Sequence, residues 1–384
     1  MKFRKFGQTG LSVSALGFGA MRLPTSKTEG DNLRDNVIVS EAIKMIRHSI
    51  DQGVNYIDTA YVYHGGNSEL ITGEALKDGY REKVILATKL PVWLIKKSED
   101  FDRLLDEQLK KLQTDCIDCY LLHSLSRDSW KNTVKKHNLL ERMEAAKKAG
   151  KIKHIGFSFH DDYDAFVEIV DGYDKWEFCQ IQYNYMDTEN QAGVKGLKYA
   201  ASKGLAVIIM EPLLGGRLAN PPKDVLDIFK ANGKDRSAAD WALQWLWNQP
   251  EVSVVLSGMS NIQQVEENLA SANNSGIGLF SQKDLEIIKL VQDKFLGRAT
   301  IPCTKCGYCI PCPNKVDIPG NFELYNGNVI YDDLATSRFS YKHFFDAETK
   351  ANKCIQCKIC EEKCPQQIPI SEWLSKVHAT LVGE

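Results

Sequence analysis

From residue 16 to about residue 272, short apolar, β-branched runs alternate with longer segments of helical period. That alternation builds a parallel sheet covered by helices. Strands are predicted over 15–20, 55–58, 84–88, 119–123, 154–158, 178–182, 206–210 and 252–256, with helical stretches such as 40–52, 98–112, 139–150 and 190–204 between them. Several of these stretches end in the Lys/Gly signature of a helix C-terminus. Eight strand-helix units fit a closed α/β barrel of the (β/α)8 type. The alternative, an open doubly wound sheet, lacks its usual mark, because no Gly-x-Gly-x-x-Gly follows an early strand. Before the first unit, residues 3–6 and 11–13 alternate on either side of Gly7-Gln8-Thr9-Gly10 and read as a β-hairpin capping the barrel bottom.

The pattern changes late in the chain. A helical segment over 283–295 leads into a stretch where Pro, Cys and Gly become frequent and the alternation stops, so the boundary belongs near 274–281. The expected division is a barrel over 1–280 and a smaller, mainly helical domain over 281–384. Within the latter, Phe322, Tyr325, Val329, Leu334, Phe339, Phe344 and Phe345 are enough for a small helical core. Composition leaves this picture intact: 43% hydrophobic and 26% charged residues over 384 positions are those of an ordinary globular protein. Lys+Arg number 48 against Asp+Glu 50, with no long block of either sign, which argues against nucleic acid and against a charged membrane surface. No apolar h-region with a cleavage site opens the chain and no run of about 20 apolar residues occurs, so a cytoplasmic location is expected.

Eleven cysteines alter it more, because eight fall into two short windows. The first is Cys303-x2-Cys306-x2-Cys309-x2-Cys312-Pro313 and the second Cys354-x2-Cys357-x2-Cys360-x3-Cys364-Pro365. Zinc sites pair two C-x2-C knuckles, whereas three cysteines at successive x2 spacings with a fourth before proline wrap a cubane cluster. Plain thiols or zinc are the bland alternatives. Residues 302–370 resemble ferredoxin domains, and the long insert between the groups resembles the helical variety. The resemblance implies two [4Fe–4S] clusters with crossed ligation: Cys303, Cys306 and Cys309 with Cys364, and Cys354, Cys357 and Cys360 with Cys312. The first group has x2 where ferredoxins usually have x3 before the last cysteine. Cys116, Cys119 and Cys179 lie in or beside apolar strands and read as buried small hydrophobes.

Active sites of (β/α)8 barrels gather at the C-terminal ends of the strands. Asp58, Lys89 and His123 stand at such ends, and Tyr63 follows five residues after Asp58. Singly each has a structural explanation, since barrel rims are rich in ion pairs and caps. Together, with the hairpin, Gly17-Phe18-Gly19-Ala20-Met21 and Gln180-Ile181-Gln182-Tyr183-Asn184, they resemble the aldo-keto reductase family. The resemblance implies a catalytic tetrad of Asp58, Tyr63, Lys89 and His123, and carbonyl reduction with NADP or NAD. Tyr63 would donate the proton, Lys89 would favour its tyrosinate, Asp58 would hold Lys89, and His123 would polarise the carbonyl oxygen. It further implies cofactor contacts at Gly19, Ala20, Met21 and Asp58, at Ser158 and Gln180 for the carboxamide, and at Met210, Glu211, Pro212 and Leu213 beside the ring and diphosphate. The adenosine end would lie at Gly258, Met259 and Ser260, then Gln264 and Asn268, although a plain helix cap also explains that segment. Phe159 stands where an Asn is common in the family, Met210 where an aromatic ring stacks, and Gln264 where an Arg grips a 2′-phosphate; the choice between NADPH and NADH is open.

A nicotinamide moves two electrons together and iron–sulfur clusters move them singly. Three readings follow: a carbonyl reductase carrying clusters for electron transfer or redox sensing, a flavin-bridged reductase working with a ferredoxin-like partner, or a nicotinamide-binding sensor. For a small-molecule carbonyl substrate, the stretches 90–97 and 125–137 would line the pocket. Trp93 and Trp130 there suit either an apolar substrate or plain packing.

Overall fold

The computed structural model describes residues 1–26 and 36–383. Strands β1 (Phe3–Lys5) and β2 (Ser12–Ser14) pair antiparallel, with Phe3 opposite Ser14. The eight that follow are β3 (Leu16–Gly19), β4 (Tyr56–Asp58), β5 (Ile85–Leu90), β6 (Ile117–Leu125), β7 (Ile152–Phe159), β8 (Phe178–Gln182), β9 (Ala206–Met210) and β10 (Val252–Ser257). They run parallel in chain order, and β10 closes on β3 with Val255 opposite Leu16. Each strand expected from the sequence is present, β6 and β7 longer at both ends.

Because successive strand residues face opposite ways, each barrel strand divides its apolar residues between two cores. Tyr56, Ala87, Cys119, Leu121, Phe178, Ala206, Ile208 and Val254 fill the interior together with Phe6 and Val13 of the hairpin region. Ile57, Leu86, Tyr120, Leu122, Cys179, Val207 and Ile209 belong to the larger outer core shared with the helices. Cys119 and Cys179 are thus buried thiols on opposite sides of the wall. The Phe6 ring, 5.4 Å from Phe178 and 5.9 Å from Tyr56, plugs the bottom. Arg4 fastens the hairpin there by donating to the carbonyls of Trp247, Gln249 and Val252, and the Trp247 indole donates to Ala15 O at 2.9 Å.

The chain forms two compact units, Met1–Gly216 with Ala239–Ser281, and Arg217–Ala238 with Gln282–Glu384. The segment 217–238, which in sequence reads as barrel, therefore belongs with the cysteine-rich part. In that second unit the helix Lys223–Ala231 packs on the helix Gln282–Leu296. Arg298 bonds Asp224 at 2.8 Å, and Arg217 bonds Asp333 at 2.8 Å. Its core gathers Ile301, Val316, Ile318, Phe322, Tyr341, Ile368, Ile370, Leu374, Val377 and Leu381. Of the aromatic residues expected there, Phe322 is buried and Tyr325 and Phe345 are partly so, while Phe339 and Phe344 are exposed and stack on each other at 5.6 Å. Helical period explains the exchange. In the helix Leu334–His343, Ser337 and Tyr341 are four apart and face inward, which turns Phe339 out.

Gly156 of β7 has no room for a side chain, since an added Cβ would sit 2.6 Å from both the ring and the carbonyl of Phe178. Gly156→Ala is expected to destabilise the first unit by about 1–3 kcal/mol, the usual range for overpacking. A lower urea midpoint by tryptophan fluorescence checks this, six of the seven tryptophans lying in that unit; an unchanged midpoint would show that the strands yield.

Candidate active site and cluster cavities

The same alternation that puts Tyr56, Ala87 and Leu121 inside the barrel carries Asp58, Lys89 and His123, two residues further along, to its inner rim. Ser158, Gln180 and Met210 follow from Gly156, Phe178 and Ile208 in the same way. Phe159 has the opposite parity and packs on Phe166 in the outer core at 5.1 Å. It is no part of the rim.

Lys89 has no exposed surface. Its ammonium donates to Asp58 Oδ1 at 2.5 Å, to Thr59 O at 2.9 Å and to Tyr63 Oη at 3.3 Å, which uses all three donors and fixes its direction. Burial works against the charged lysine, but Asp58 and Tyr63 more than offset it, and its pKa is raised. Burial also pushes up the carboxyl of Asp58, against the pull of Lys89. With the ammonium at 2.5 Å, we take the pair as ionised. The Tyr63 phenol is raised by burial, while Lys89 draws it down. The lysine favours the tyrosinate as the sequence implied, but the net shift is upward, so the resting group is a phenol. Tyr63 is held at the start of a one-turn helix, Tyr63–Gly66, whose next residue, His64, is left-handed and accepts from Leu23 N at 3.1 Å.

His123 lies edge-on to Tyr63 with ring centroids 6.1 Å apart, and Trp93 stacks on it at 5.1 Å. Burial, then the charge of Lys89 and the neighbouring His160, hold its pKa well below the usual value, so the imidazole is neutral at pH 7. Its Nδ1 is buried without a hydrogen-bond partner among the described residues. Trp93 is half exposed at this rim, whereas Trp130 is fully buried beside Trp176. The two tryptophans of the expected pocket loops thus separate into one rim residue and one core residue.

Among the residues expected to contact the cofactor, Ser158 Oγ accepts from Ser124 N at 2.7 Å, which leaves its own proton to donate. Gln180 Nε2 contacts Met210 Sδ at 3.5 Å, and Gln180 Oε1 is buried with no partner among the described residues. A donor and an acceptor of this kind match a primary amide. Asn184 donates to Glu211 O at 3.1 Å and pins the turn after β9, where Glu211 and Leu214 have positive φ. Gly19 stands beside Asp58 in register, Ala20 N donates to Asp58 O at 2.8 Å, and Met21 is half exposed. Pro212 is buried and Leu213 partly so.

The segment after β10 is more committed to its own structure. Asn261 Oδ1 caps the helix Ile262–Asn273 by accepting from Gln264 N at 2.9 Å, and Gln264 Oε1 accepts from Ser260 N, one residue before the cap, at 2.8 Å. Met259 is buried, and Asn268 is buried with its amide on Ser257 Oγ at 2.8 Å. The backbone from Gly258 to Ser260 is what this segment offers to a ligand.

Sequence reasoning missed the support behind Lys89. Glu69, fully buried, accepts from Thr88 Oγ1 at 2.7 Å and Gln108 Nε2 at 2.6 Å, and Gln108 also donates to Lys89 O at 3.1 Å. Burial raises the Glu69 pKa against those hydrogen bonds and Lys111. The available signal was a glutamate followed at once by apolar Leu70-Ile71 on a helix, a polar residue that needs buried partners.

In the second unit, Cys303, Cys306, Cys309 and Cys364 line one cavity open to solvent, with Ile318, Phe322 and Ile370 in its wall. Cys312, Cys354, Cys357 and Cys360 line a second, which Cys309 and Ile318 also reach. The first thus takes Cys303, Cys306 and Cys309 from one run and Cys364 from the other, and the second takes Cys354, Cys357 and Cys360 with Cys312, Cys309 lying between the two. Among the described residues no three ligating side chains converge on one point, as the ligands of a single ion would. A cubane, itself several ångströms across, holds four thiolates apart around a space. The residues present fit that group.

The Aldo/keto reductase family model matches residues 15–291. The chain belongs to this family. A second match, to a 4Fe-4S dicluster domain, covers residues 302–368. L-galactose dehydrogenase of Arabidopsis thaliana is 30% identical over 292 residues, 71% of this chain and 88% of that one. The 6-dehydroglucose reductase of Novosphingobium aromaticivorans is 28% identical over 69% of this chain and 88% of its own length. Among solved structures, the holo form of aldo-keto reductase AKR11C1 from Bacillus halodurans matches with a TM-score of 0.61 at 25% identity, covering 76% of this chain and 96% of that one. An aldo/keto reductase from Klebsiella pneumoniae, solved with NADP and acetate, matches at 0.59 and 26% identity over 76% and 95%. This aldo-keto reductase is therefore an oxidoreductase with a C-terminal 4Fe-4S domain. No helix among the described residues is long and apolar enough to cross a membrane.

Because the His123 pKa is depressed, the unfolded chain binds a proton there that the folded chain refuses, and stability falls as pH drops below about 6.5. By NMR the His123 ring is expected to remain neutral through pH 6 in the folded protein. Ordinary titration near 6.5 would contradict the buried geometry.

Proposed function

We propose that the barrel rim interconverts a carbonyl compound and its alcohol with NADPH or NADH, and that the second unit holds two [4Fe–4S] clusters. The observation that carries the first part is the triple tether of the buried Lys89 ammonium, which ends 3.3 Å from the Tyr63 hydroxyl. When bound, a reduced nicotinamide supplies the hydride that reaches the carbonyl carbon.

The chain's own residues then handle the oxygen. As negative charge develops there, Tyr63 gives up its phenolic proton, and the resulting tyrosinate is stabilised by Lys89, whose charge Asp58 maintains. His123, being neutral, hydrogen-bonds the same oxygen without competing as an acid at pH 7. Water returns the proton to Tyr63. Ser158 and Gln180 would hold the carboxamide, the hydroxyl donating to its oxygen and Gln180 Oε1 accepting from its nitrogen. The NADP bound by the Klebsiella relative and the relatives' names, a sugar dehydrogenase and a sugar reductase, support alcohol–carbonyl chemistry. Gln264, occupied in capping, has no charge to offer a 2′-phosphate, and no Lys or Arg lies between Gly258 and Asn268.

For the clusters, the support is the sorting of the eight thiols into two cavities by crossed sets. Such centres exchange single electrons, which serves electron transfer, to a ferredoxin-like partner for example, or redox sensing.

Tyr63→Phe is expected to lower kcat/KM for carbonyl reduction by about 10²- to 10⁴-fold, the usual share of a general acid, with dinucleotide affinity retained. Unchanged turnover across a panel of aldehydes and ketones would remove Tyr63 as the proton donor. Anaerobically prepared protein should carry about eight iron and eight sulfide per chain. The double variant Cys303→Ala/Cys364→Ala strikes one cluster under crossed ligation and should keep about four iron, whereas Cys303→Ala/Cys354→Ala should lose both clusters. Equal iron loss in the two variants would reject the crossed assignment.

A further inference from the structure

The two cysteine runs share their spacing up to the third cysteine, yet the mouths of their cavities are not alike. At the first, the exposed cysteine is Cys306, and Lys305 just before it is paired with Glu323. At the second, the exposed cysteine is Cys357, and it stands between Ile355 and Ile359, which are 65% and 42% exposed. Both isoleucines line that cavity together with Lys358 and Lys363. Among the described residues neither lysine makes a hydrogen bond or an ion pair. Apolar side chains left in water beside uncommitted cations form a surface that a partner with acidic groups would cover.

The acids nearby do not cancel these charges at the mouth. Ile359, Cys360 and Lys363 line the cavity at the spacing of one helix face, whereas Glu361 and Glu362 between them do not. Glu361 is drawn away by Ser371, whose backbone N–H and hydroxyl donate to its carboxylate at 2.8 and 2.6 Å, and it lies beyond ion-pair distance of the Lys358 ammonium. Lys358 also holds its place against its own backbone. Its φ is +61°, in the left-handed region, and the first run has Gly307 at φ +78° in the same position between second and third cysteines. Glycine would make that turn without strain. A lysine there instead puts a charge on the residue next to the exposed cysteine.

We infer that the mouth at Cys357 is the docking surface for a small acidic protein that carries one electron, and that the mouth at Cys306 is not. The inference rests on the reading of the two cavities as cluster sites. Ile355 and Ile359 form the apolar centre of the contact and exclude water from it, while Lys358 and Lys363 form a charged rim that orients the partner. No bond forms or breaks and no proton moves: the carrier loses the one electron that the cluster gains, or gains the one that the cluster gives up. An apolar centre of two isoleucines is small, which suits a partner that leaves after each electron.

Binding of a small acidic ferredoxin to the anaerobically prepared, full-length protein tests this, with a basic c-type cytochrome as the probe of opposite charge and iron and sulfide counted on every preparation. The ferredoxin should bind saturably and more weakly as salt is raised, and the cytochrome should not bind. Lys358→Gly combined with Lys363→Ala should raise the ferredoxin Kd by about three- to thirtyfold, the share of two exposed charges, at unchanged iron content, because glycine fits the turn. Ile355→Asn should weaken binding with the salt dependence retained, and Lys305→Ala should leave it unchanged. Equal losses in Lys305→Ala and the double variant would overturn the choice of mouth. Tighter binding of the cytochrome, or no binding of either probe to iron-replete protein, would overturn the docking surface and leave the clusters standing. Protein that takes up no iron and sulfide would overturn the cluster reading and the docking surface together.

Discussion

An ammonium group with no access to water is the constraint around which the barrel rim is organised. An unpaired charge in that position would cost several kcal/mol or would be given up by deprotonation. Lys89 avoids both outcomes because Asp58, Thr59 and Tyr63 each accept one of its protons. Everything that holds those acceptors then becomes part of the site. Asp58 ends β4 in register with Gly19 and Ala87, Tyr63 is set by the turn that follows, and the strand carrying Lys89 is braced from outside by Glu69, Thr88 and Gln108. The same charge helps to keep His123 neutral. One buried cation thus links the acidity of Tyr63, the protonation state of His123 and the position of the strand ends.

The second unit is organised by a different requirement. Its core of Ile318, Phe322, Ile370, Leu374 and neighbours packs against cysteines that are themselves only partly buried and surround space rather than each other. Ile318 lines both cavities, so the two thiol sets share an apolar wall. Low polarity around such centres is one of the means by which a protein sets their potential. The segment 217–238 follows directly after the glycine turn that ends at Gly216 and is held within this unit by Arg217–Asp333 and Arg298–Asp224.

Much of this was legible in the chain. The short apolar, β-branched runs located all eight barrel strands, and their C-terminal ends located Asp58, Lys89 and His123 at the rim. The cysteine spacing isolated eight thiols from eleven. Other features were hidden for physical reasons. A capping glutamine and a phosphate-binding one have the same side chain, and only the hydrogen bond from Ser260 shows how Gln264 is used. Trp93 and Trp130 sit in similar rim loops, and tertiary packing alone sends one to His123 and the other to Trp176. Glu69 needed partners from β5 and from the helix Asp100–Leu112, distant in sequence, before its burial made sense. Segment 217–238 carries an ordinary amphipathic helix whose partner, Gln282–Leu296, no local pattern could name.

The central claim is that this rim transfers hydride between a nicotinamide and a carbonyl carbon. Deuterium transfer tests it most directly: anaerobically purified protein is given reduced dinucleotide deuterated at the C4 position that reacts, together with a panel of aldehydes, and the alcohols are examined by mass spectrometry. The account predicts one deuterium bound to the former carbonyl carbon of the accepted substrate. Oxidation of the dinucleotide with the label lost to water, in a protein whose absorption spectrum shows flavin bands, would contradict it.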